Sequence, residues 1–437
     1  MKPVRVGLLG LGTVGGGTVN VLARNGSEIA RRAGREIHAT RAVVRDPAKG
    51  RICAVDGLEV SVDPRAVVDD PDIAVVVELM GGLEPARALV LQAIANGKHV
   101  VTANKALIAL HGNEIFQAAH ANGVTVAFES AVAGGIPIIK AIREGLAGNR
   151  IEWLAGIING TGNFILTAMR EDGRAFDDVL SEAQALGYAE ADPTFDVEGI
   201  DAAHKLAILG AIAFGRPLAF DQLTVEGISR ITPMDVEFAE ELGYRIKHLG
   251  IARRRADGVE LRVHPTLIPS RCLLANVNGV MNAVLVQGDA VGSTLYYGAG
   301  AGAEATASAV VADLVDVVRA LTTDPGNRVP HLAFQPDALD DVPVLPAADI
   351  ESAYYLRMTV DDRPGVLASV ASILAESDIS IEAVVQKEPA PGASRVPLIM
   401  LTHTVREGSI EAAIARIEAS TYVEGDIMRL RVEALDS

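Results

Sequence analysis

The sequence predicts an α/β protein built on a doubly wound parallel sheet, followed by an α+β segment and a small ferredoxin-like module. Short apolar runs alternate with helical patterns through residues 4–128. Three glycines, at positions 10, 12 and 15, stand between the first apolar run and the first helical pattern. Residues 354–432 follow the order β-α-β-β-α-β, which is the order of a ferredoxin-like module.

The first apolar run and its glycines predict a Rossmann-type dinucleotide site. Gly10 permits a tight turn, Gly12 lets the backbone approach a pyrophosphate, and Gly15 allows close contact between helix and strand. The helix that these glycines open would present N–H donors to the phosphates at its N-terminus. The alternative is a structural glycine-rich turn without a ligand. Further strands are predicted at 38–44, 73–79, 99–102 and 124–128, with helices at 85–96 and 106–121.

The end of the second predicted strand bears on the choice of cofactor. An acidic residue at this place favours NAD, whereas an arginine can hold the 2′-phosphate of NADP. The sequence has Arg45 followed by Asp46. We therefore expect NADP to be favoured or tolerated, with NAD still open, and a solvated surface charge is the alternative for Arg45.

Two further segments lie where α/β proteins collect ligands. Lys105 follows the strand predicted at 99–102 and could contact cofactor or substrate, although a lone lysine is more often a surface residue. Glu129 opens a segment that runs through Val132, Gly134 and Ile136. One carboxylate near kinked backbone carbonyls can hold a hard cation. Without further support, an ordinary turn is the alternative.

The segment from residue 183 to 205 carries the strongest chemical signal. Five acidic residues and one lysine surround glycine and proline there, just before an apolar helix. Asp201 and Lys205 are four residues apart, so on a helix they share one face and can form an ion pair. A lysine held by an acid on a partly apolar face can donate a proton to a carbonyl oxygen. A surface salt bridge is the alternative.

Composition limits the classes of partner. The chain has 437 residues, 49% of them hydrophobic, and a formal net charge of −17. This charge argues against nucleic-acid binding and against an anionic membrane surface. The two cysteines have no metal-ligand spacing, and no apolar run is long enough to span a membrane. A strand begins at Val4, so we expect no signal peptide and a cytoplasmic protein.

Several motifs together resemble the homoserine dehydrogenase family over nearly the whole chain. They are Gly10-Leu-Gly-Thr-Val-Gly15, Val101-Thr-Ala-Asn-Lys105, Asn159-Gly-Thr-Gly-Asn-Phe164, and the spaced residues Ala183, Gly187, Asp192-Pro193, Asp196, Gly199, Asp201 and Lys205. The C-terminal segment is similar to an ACT domain through residues 356–367. The multi-point spacing between 183 and 205 makes this resemblance far more specific than the glycine turn alone.

The resemblance implies roles for individual residues. Lys205 would be the proton donor, and Glu190 and Asp201 would bind the substrate. The cofactor would be contacted by the loop Gly10, Gly12, Thr13, Val14 and Gly15, and by Arg45, Lys105, Gly187 and Gly302. A sodium-like cation would be bound by Glu129 with the carbonyl groups of Val132, Gly134 and Ile136. The residue that holds the substrate carboxylate is not identified.

The resemblance also implies an activity and a domain plan. The reaction would be NAD(P)H-dependent, reversible reduction of L-aspartate 4-semialdehyde to L-homoserine in threonine, methionine and isoleucine biosynthesis. L-Threonine would inhibit through the ACT domain of a homodimer or homotetramer. The expected domains are a dinucleotide-binding domain at 1–135, a catalytic and dimerisation domain at 136–302, a segment packing back on the first domain at 303–330, a proline-rich linker at 331–350 and the ACT domain at 351–437.

Two other functions stay open from the residues alone. One is a different NAD(P) enzyme of amino acid metabolism with the same fold. The other is a cofactor-bound amino acid sensor without catalysis. The combination of Glu190, Asp201 and Lys205 argues against the sensor, which has no need to keep them.

Overall fold

The computed structural model describes residues 2–388 and 394–435. Its strands are β1 Val4–Leu9, β2 Ile37–Val43, β3 Glu59–Ser61, β4 Val75–Glu78, β5 His99–Thr102, β6 Val126–Ala127, β7 Ile151–Ile157, β8 Thr224–Val225, β9 Tyr244–Arg254, β10 Val259–Pro269, β11 Met281–Gly288, β12 Gly292–Ala299, β13 Glu351–Asp361, β14 Ile381–Gln386, β15 Arg395–Thr402, β16 Val405–Arg406 and β17 Val423–Val432. Its α-helices are α1 Thr13–Arg24, α2 Gly26–Ala33, α3 Arg65–Val68, α4 Ala86–Ala95, α5 Lys105–Ala121, α6 Ile138–Lys140, α7 Gly160–Asp172, α8 Phe176–Ala185, α9 Thr194–Val197, α10 Ile200–Phe214, α11 Pro233–Glu241, α12 Ala303–Ala320, α13 Val366–Glu376 and α14 Glu407–Glu418.

These elements form two compact units, each made of three chain segments. Unit 1 contains Met1–Leu154, Asp201–Leu223 and Met281–Val342. Unit 2 contains Ala155–Ile200, Thr224–Val280 and Pro343–Ser437. The C-terminal module therefore shares a unit with residues 155–200 and 224–280. The domain boundaries expected from the sequence stay predictions.

Unit 1 is organised around a six-stranded parallel sheet. The strand order is β3-β2-β1-β4-β5-β6, and every neighbouring pair is parallel. The order reverses between β1 and β4, which is where such sheets form a crevice for ligands. The central strands are buried; for example, the four residues of β4 are all inaccessible or nearly so. This arrangement confirms the predicted doubly wound sheet.

Helix α12 completes the core of unit 1 although it lies far along the chain. Ala307, Val310 and Leu314 of α12 are fully buried in the same apolar cluster as Val6 and Leu8 of β1. At Gly17 of α1 an added Cβ would lie 2.4 Å from the carbonyl oxygen of Ala303, so the two helices meet without a side chain between them. The contact brings the start of α12 beside the helix that follows the glycine turn.

Unit 2 contains a sheet in which strands of the C-terminal module continue from β9 and β10. The order is β9-β10-β17-β13-β15-β14. Strands β10 and β17 are parallel, with Thr266 opposite Arg431 and Leu267 opposite Val432. One apolar cluster spans both parts: it includes Ile165 and Leu166 of α7 together with Tyr355 of β13. A second cluster lies between the C-terminal helices α13 and α14 and the strands they cover.

A buried network of charges lies along the β10–β17 junction. Arg262 of β10 is inaccessible and pairs with Glu260 and with Glu433, which follows β17. Arg431, 1% exposed, donates through Nε to Glu407 Oε2 at 2.7 Å and through one amino group, Nη2, to both Glu226 and Glu407. Buried charges of this kind are stable only when each has its partner. The network therefore depends on both parts of the sheet being present.

Within the part of the chain that the structure describes, no helix combines the length and apolarity required to cross a membrane.

Candidate active site

The glycine turn after β1 has the geometry of a close backbone approach. Gly10 has a φ of 104°, and an added Cβ would lie 2.7 Å from the carbonyl oxygen of Leu79. At Gly15 a Cβ would lie 2.3 Å from the carbonyl oxygen of Gly10, whereas at Gly12 it would meet open space. The turn leads into Thr13 and Val14, the first two residues of α1. A phosphate can therefore approach the backbone at Gly12 and the N-terminus of α1.

One of the charged residues that follow β2, Arg51, contacts this turn. Arg45 is exposed. Arg51 donates through one amino group to the carbonyl oxygen of Leu11 at 3.4 Å, within the glycine turn, and through the other to the carbonyl oxygen of Asp46. The sequence draws attention to Arg45 because of its position after the strand. Arg51 is the basic residue that the fold brings back to the turn.

Gly302 stands at the start of α12 in unit 1. It has a φ of 125°, and its carbonyl oxygen accepts the N–H of Thr306 at 3.0 Å. The following residue, Ala303, is the one that contacts Gly17 of α1. Gly302 therefore lies beside α1, the helix that follows the glycine turn. Gly187, the other glycine predicted at the cofactor, is exposed in unit 2 with a φ of 75°.

Lys105 is the first residue of α5, and a buried hydrogen-bond network fixes the turn before it. Glu78, inaccessible at the end of β4, accepts the hydroxyl of Thr102 at 2.7 Å and the N–H of Met80 at 2.8 Å. Thr102 accepts the N–H of Asn104 at 3.0 Å, and Asn104 caps α5 through the N–H of Leu107. Burial raises the pKa of the Glu78 carboxyl despite these bonds. No sequence pattern singles out Glu78, because it lies within an apolar run.

Two lysines converge on one buried carboxylate. Asp201 and Lys205 lie one turn apart on α10, and Lys205 Nζ is 2.7 Å from Asp201 Oδ2. Lys105 Nζ is 2.9 Å from the other oxygen, Oδ1. Asp201 is 3% exposed and Lys205 is 9% exposed, so this is not a solvated surface pair. Burial opposes ionisation of Asp201, but the ammonium groups of Lys205 and Lys105 outweigh it and hold its pKa below the ordinary value.

The neighbouring His204 is kept neutral at physiological pH. Its ring stacks on Phe220 with 4.4 Å between centroids. Burial, together with the charges of Lys105 and Lys205, lowers the pKa of His204 to about 4, although Asp201 acts in the opposite direction. The positive charge at this end of α10 therefore belongs to the two lysines. His204 lies within the segment 183–205 but is not one of the spaced residues that carry the family resemblance.

The acidic segment before α10 belongs to unit 2. Glu190 is exposed, and its backbone carbonyl oxygen accepts the side-chain amide of Gln184 at 3.1 Å. The segment is tied to the first turn of α7: Thr161 donates to the carbonyl oxygen of Tyr188 at 2.7 Å, and Asn159 donates to Asp196 at 2.8 Å. The carboxylate of Glu190 is thus presented to solvent on a segment that other residues hold in place.

The predicted cation segment follows β6. Glu129 is 2% exposed, and its two carboxylate oxygens accept the N–H groups of Ile139 and Lys140, each at 2.9 Å. The chain then turns sharply, because Ala133 and Gly134 both have positive φ angles of 53° and 46°. The Val132 amide bonds back to Glu129 O, and the Ile136 carbonyl oxygen accepts the N–H of Ile138. Among the described residues, no group of three or more His, Cys, Asp or Glu side chains could hold a metal ion.

Asp313 is a second buried acid beside this segment. Located on α12 and 1% exposed, it accepts the backbone N–H of Glu129 at 2.8 Å. Burial, and then the charge of Glu129, raises the pKa of Asp313 to about 7; burial also raises the pKa of Glu129. Two acids that disfavour each other's ionisation form a place where a cation would be stabilised. No local pattern in the sequence pairs residues 129 and 313.

Comparisons with known proteins agree with these features. Three family models match the chain: "Homoserine dehydrogenase, NAD binding domain" at residues 10–129, "Homoserine dehydrogenase" at 137–315 and "ACT domain" at 354–420. The homoserine dehydrogenase of Pseudomonas aeruginosa is 66% identical over 436 residues, covering 100% of both chains.

The chain belongs to the homoserine dehydrogenase family.

Solved structures extend this result to three dimensions. The crystal structure of a homoserine dehydrogenase from Thiobacillus denitrificans is 66% identical, with a TM-score of 0.95, and the match covers 100% of this chain and 99% of that one. A hyperthermophilic archaeal homoserine dehydrogenase in complex with NADPH is 26% identical, with a TM-score of 0.61, over 72% of this chain and 97% of that chain. The predicted family and fold are thereby confirmed, as is an oxidoreductase that acts on a CH–OH group through an NAD-binding domain. The roles of individual residues stay predictions.

Proposed function

We propose that the protein reduces L-aspartate 4-semialdehyde to L-homoserine, reversibly, with Lys205 as the proton donor. The observation that supports this assignment is the buried carboxylate of Asp201 with a lysine ammonium on each oxygen, at 2.7 Å and 2.9 Å. A sensor that only binds ligands gains nothing from this costly arrangement. The proposed place in threonine, methionine and isoleucine biosynthesis follows from the same pair of metabolites.

The cofactor and Lys205 supply different parts of the proposed reaction. When bound, the reduced nicotinamide supplies a hydride to the aldehyde carbon. Negative charge then develops on the aldehyde oxygen, where the ammonium of Lys205 stabilises it and transfers a proton to give the hydroxyl group. Asp201 holds Lys205 in place through its Oδ2 atom and keeps Lys105 nearby through Oδ1. In the oxidative direction Lys205 accepts the same proton.

A direct assay tests the assignment. Purified enzyme with L-aspartate 4-semialdehyde and NADPH should oxidise the cofactor and form homoserine in equal amounts. The reverse reaction should appear with L-homoserine and NADP. Cofactor oxidation with other amino acid carbonyl compounds, but not with the semialdehyde, would support the rival amino acid dehydrogenase instead.

Substrate binding is assigned to Glu190 and Asp201. The substrate carries an α-ammonium group, for which an exposed carboxylate such as that of Glu190 is a suitable partner. Asp201 is already shared by two lysines, so its contribution is to orient them toward the substrate oxygen. A change of Glu190 to Gln should therefore raise KM more than it lowers kcat.

The cofactor site combines the glycine turn with basic residues, and we favour NADP over NAD. The turn formed by Gly10, Gly12 and Gly15 has room for a pyrophosphate at Gly12. Lys105, Gly187 and Gly302 are the other proposed cofactor contacts. The NADPH complex of the archaeal relative lends support to NADP.

Arg45→Ala should weaken NADPH binding by about 1.5–3 kcal/mol, the range for a lost hydrogen bond to a charged group. NADH binding should hardly change, because NADH lacks the 2′-phosphate. Fluorescence titration of both cofactors measures the difference. Lys49→Ala, an exposed basic residue in the same segment, serves as the matched control and should leave both affinities unchanged. Equal losses for the two cofactors in Arg45→Ala would remove its proposed role.

A monovalent cation such as sodium is proposed at the segment that follows β6. Glu129 would contribute its carboxylate, and Val132, Gly134 and Ile136 their carbonyl oxygens. The fit rests on the two buried acids Glu129 and Asp313, whose mutual repulsion a cation would relieve. Initial rates in equal concentrations of sodium, potassium and choline chloride test this site; identical rates in all three would argue against it.

Threonine is proposed as an inhibitor that acts through the ACT domain. Gly365, at the start of α13, has a φ of 95°, and an added Cβ would meet open space, so a ligand can approach its backbone. Millimolar L-threonine should inhibit the enzyme, and Gly365→Ala should reduce this inhibition while the uninhibited rate is retained. A wild-type enzyme that ignores threonine would exclude this regulation.

We also propose that the protein forms a homodimer or homotetramer, joined partly through the ACT domain. The ACT edge strand β14 alternates exposed and half-buried residues and can accept a second strand. Light scattering coupled to gel filtration gives the number of subunits directly.

A further inference from the structure

Lys247 is a buried lysine that the reaction described above does not use. It lies on β9 in unit 2 and is 1% exposed. Its Nζ donates to Asn163 Oδ1 at 3.0 Å, to the carbonyl oxygen of Val277 at 2.5 Å and to Asn278 Oδ1 at 3.4 Å. All three of these acceptors are neutral oxygens, so dipoles rather than an opposite charge hold the ammonium.

The surroundings make this ammonium costly. Removing a charge from water without a counter-ion costs several kcal/mol, which the three hydrogen bonds offset only in part. Burial lowers the pKa of Lys247 to about 7; the charges of Arg170 and Arg245 act in the same direction, and Glu171 acts against them. A methionine would fill the same space without this cost. The presence of a lysine here is therefore better explained by the elements that its hydrogen bonds connect than by a gain in stability.

Those bonds connect three elements of unit 2. Asn163 lies in the first turn of α7 and also donates through Nδ2 to the carbonyl oxygen of Val277 at 3.1 Å. Thr167, one turn later, accepts the N–H of Gly279 at 3.2 Å. Lys247 thus joins β9 to the start of α7 and to the turn at 277–279. Without its ammonium, Asn163 and the turn lose their common donor.

The first turn of α7 in turn holds the acidic segment that carries Glu190. Thr161 binds the carbonyl oxygen of Tyr188, Asn159 binds Asp196, and the ring of Phe164 packs edge-on against Tyr188 at 5.1 Å. These contacts lie on both sides of Glu190 in the sequence. A shift of the α7 turn therefore moves the segment on which this carboxylate is presented.

We propose that Lys247 is a positioning residue for substrate binding, which acts through Asn163 and the first turn of α7 on the segment 188–196. The proposal rests on the proposed role of that segment in holding the substrate ammonium. Lys247 does not contact the reacting atoms. It sets KM rather than the rate of hydride transfer.

The same geometry predicts a dependence on pH. An ammonium offers three protons to the three oxygens, whereas a neutral amine offers two, so deprotonation leaves one acceptor without its donor. The titratable and charged groups around the amine are Arg170, Glu171, Glu240 and Arg245. As pH rises through about 7, the pKa of Lys247, KM should rise.

Lys247→Met is the central test, measured on the full-length enzyme. We expect KM for homoserine and for the semialdehyde to rise by roughly tenfold, the equivalent of one hydrogen bond to a charged group. kcat should stay within about twofold, because hydride transfer and the Asp201–Lys205 pair are untouched. An unchanged KM for both substrates in folded Lys247→Met overturns the proposal.

Lys98→Met is the matched control. Lys98 is 4% exposed in unit 1 and donates to the carbonyl oxygens of Asp70 and Ile73. It is also a buried lysine among backbone oxygens. It directly precedes β5, whereas Lys105 follows the other end of that strand. Its loss should lower Tm and leave both KM values unchanged. If Lys98→Met raises KM as much as Lys247→Met, the effect is general destabilisation and the proposal fails.

Asn278→Asp provides a second test that does not remove the lysine. The new carboxylate, beside Nζ and half-buried, should raise the pKa of Lys247 and move the pH-dependent rise of KM to higher pH. An unmoved KM profile contradicts the proposal even if Lys247→Met does not fold. Glu190→Gln separates the proposed role of Glu190 from that of Lys247. An unchanged KM in Glu190→Gln would rule out substrate binding by Glu190. Lys247→Met and Asn278→Asp would still decide whether Lys247 is a positioning residue.

Discussion

Lys205→Met should lower kcat by about 10²-fold or more, because general acid catalysis by a positioned group typically contributes 10²–10⁴-fold. The methionine keeps the aliphatic stem and removes the proton and charge that the aldehyde oxygen requires. KM for the semialdehyde should change less, since the substrate ammonium is assigned to Glu190. Steady-state kinetics with NADPH measure both parameters.

Two measurements protect this result from a folding artefact. Asp201 keeps Lys105 as a partner at 2.9 Å when Lys205 is lost, so the buried carboxylate is not left alone. Tm and NADPH affinity should accordingly stay close to those of the wild type. Lys387→Met, at an exposed lysine paired with Glu237 and Glu241, should leave kcat unchanged. An unaltered kcat in Lys205→Met would mean that another group donates the proton.

Arg431→Met should destabilise the protein by about 3–5 kcal/mol, the usual cost of removing one partner from a buried ion pair. Glu407, 1% exposed, would lose its main partner, and Glu226 would lose one of two. For a unit of this size we expect Tm to fall by roughly 10 °C. Differential scanning calorimetry should show the loss in the transition of unit 2.

The difference in stability between the wild type and Arg431→Met should depend on pH, and the direction follows from the pKa of Glu407. Burial opposes ionisation of Glu407, but Arg431 and Arg429 outweigh it, and the pKa of Glu407 is lowered. A carboxyl with a lowered folded pKa contributes stability above its unfolded pKa, about 4.3, and loses it as pH falls through the folded value. The gap in Tm between wild type and Arg431→Met should therefore be full at neutral pH and narrow in acid.

Arg416→Met is the matched control for Arg431→Met. Arg416 lies in the same ACT domain and forms an ion pair with Glu376, but both side chains are about half exposed or more. Surface pairs of this kind contribute less than about 1 kcal/mol. Equal losses of Tm in the two variants would show that burial of the Arg431 network does not determine its effect.

The doubly wound sheet could be predicted because its signals are local. The strand predicted at 99–102 is β5, His99–Thr102, and the helix predicted at 106–121 is α5, Lys105–Ala121. The pairing of Asp201 with Lys205 was predictable for the same reason, since residues four apart share a helix face. Even so, the sequence could not show that Lys105 binds the other oxygen of Asp201, because that contact joins two helices distant in the chain.

Buried charge was the main feature that local patterns concealed. Glu78 ends the apolar strand β4, whereas Lys247 stands among other basic residues of β9, and both bind partners far away in sequence. In β17, the alternation of Arg429, Leu430 and Arg431 is typical of a strand with one solvated face. The structure instead buries Arg431 against Glu407 of the ACT domain and Glu226 of the segment 224–280. Which strand edges pair depends on the whole fold, so the β10–β17 junction was not predictable.

The parallel pairing of β10 with β17 has a consequence for the order of events during synthesis. The segments 155–200 and 224–280 of unit 2 leave the ribosome long before β17, yet their apolar cluster includes Tyr355, Ile399 and Leu430 from the last part of the chain. Unit 1, by contrast, has all of its segments once residue 342 has emerged. The dinucleotide-binding half can thus fold on the nascent chain, whereas the half that carries Glu190 must wait for the final strand. A ribosome that stops early therefore leaves unit 1 with its whole parallel sheet and unit 2 without its final strand.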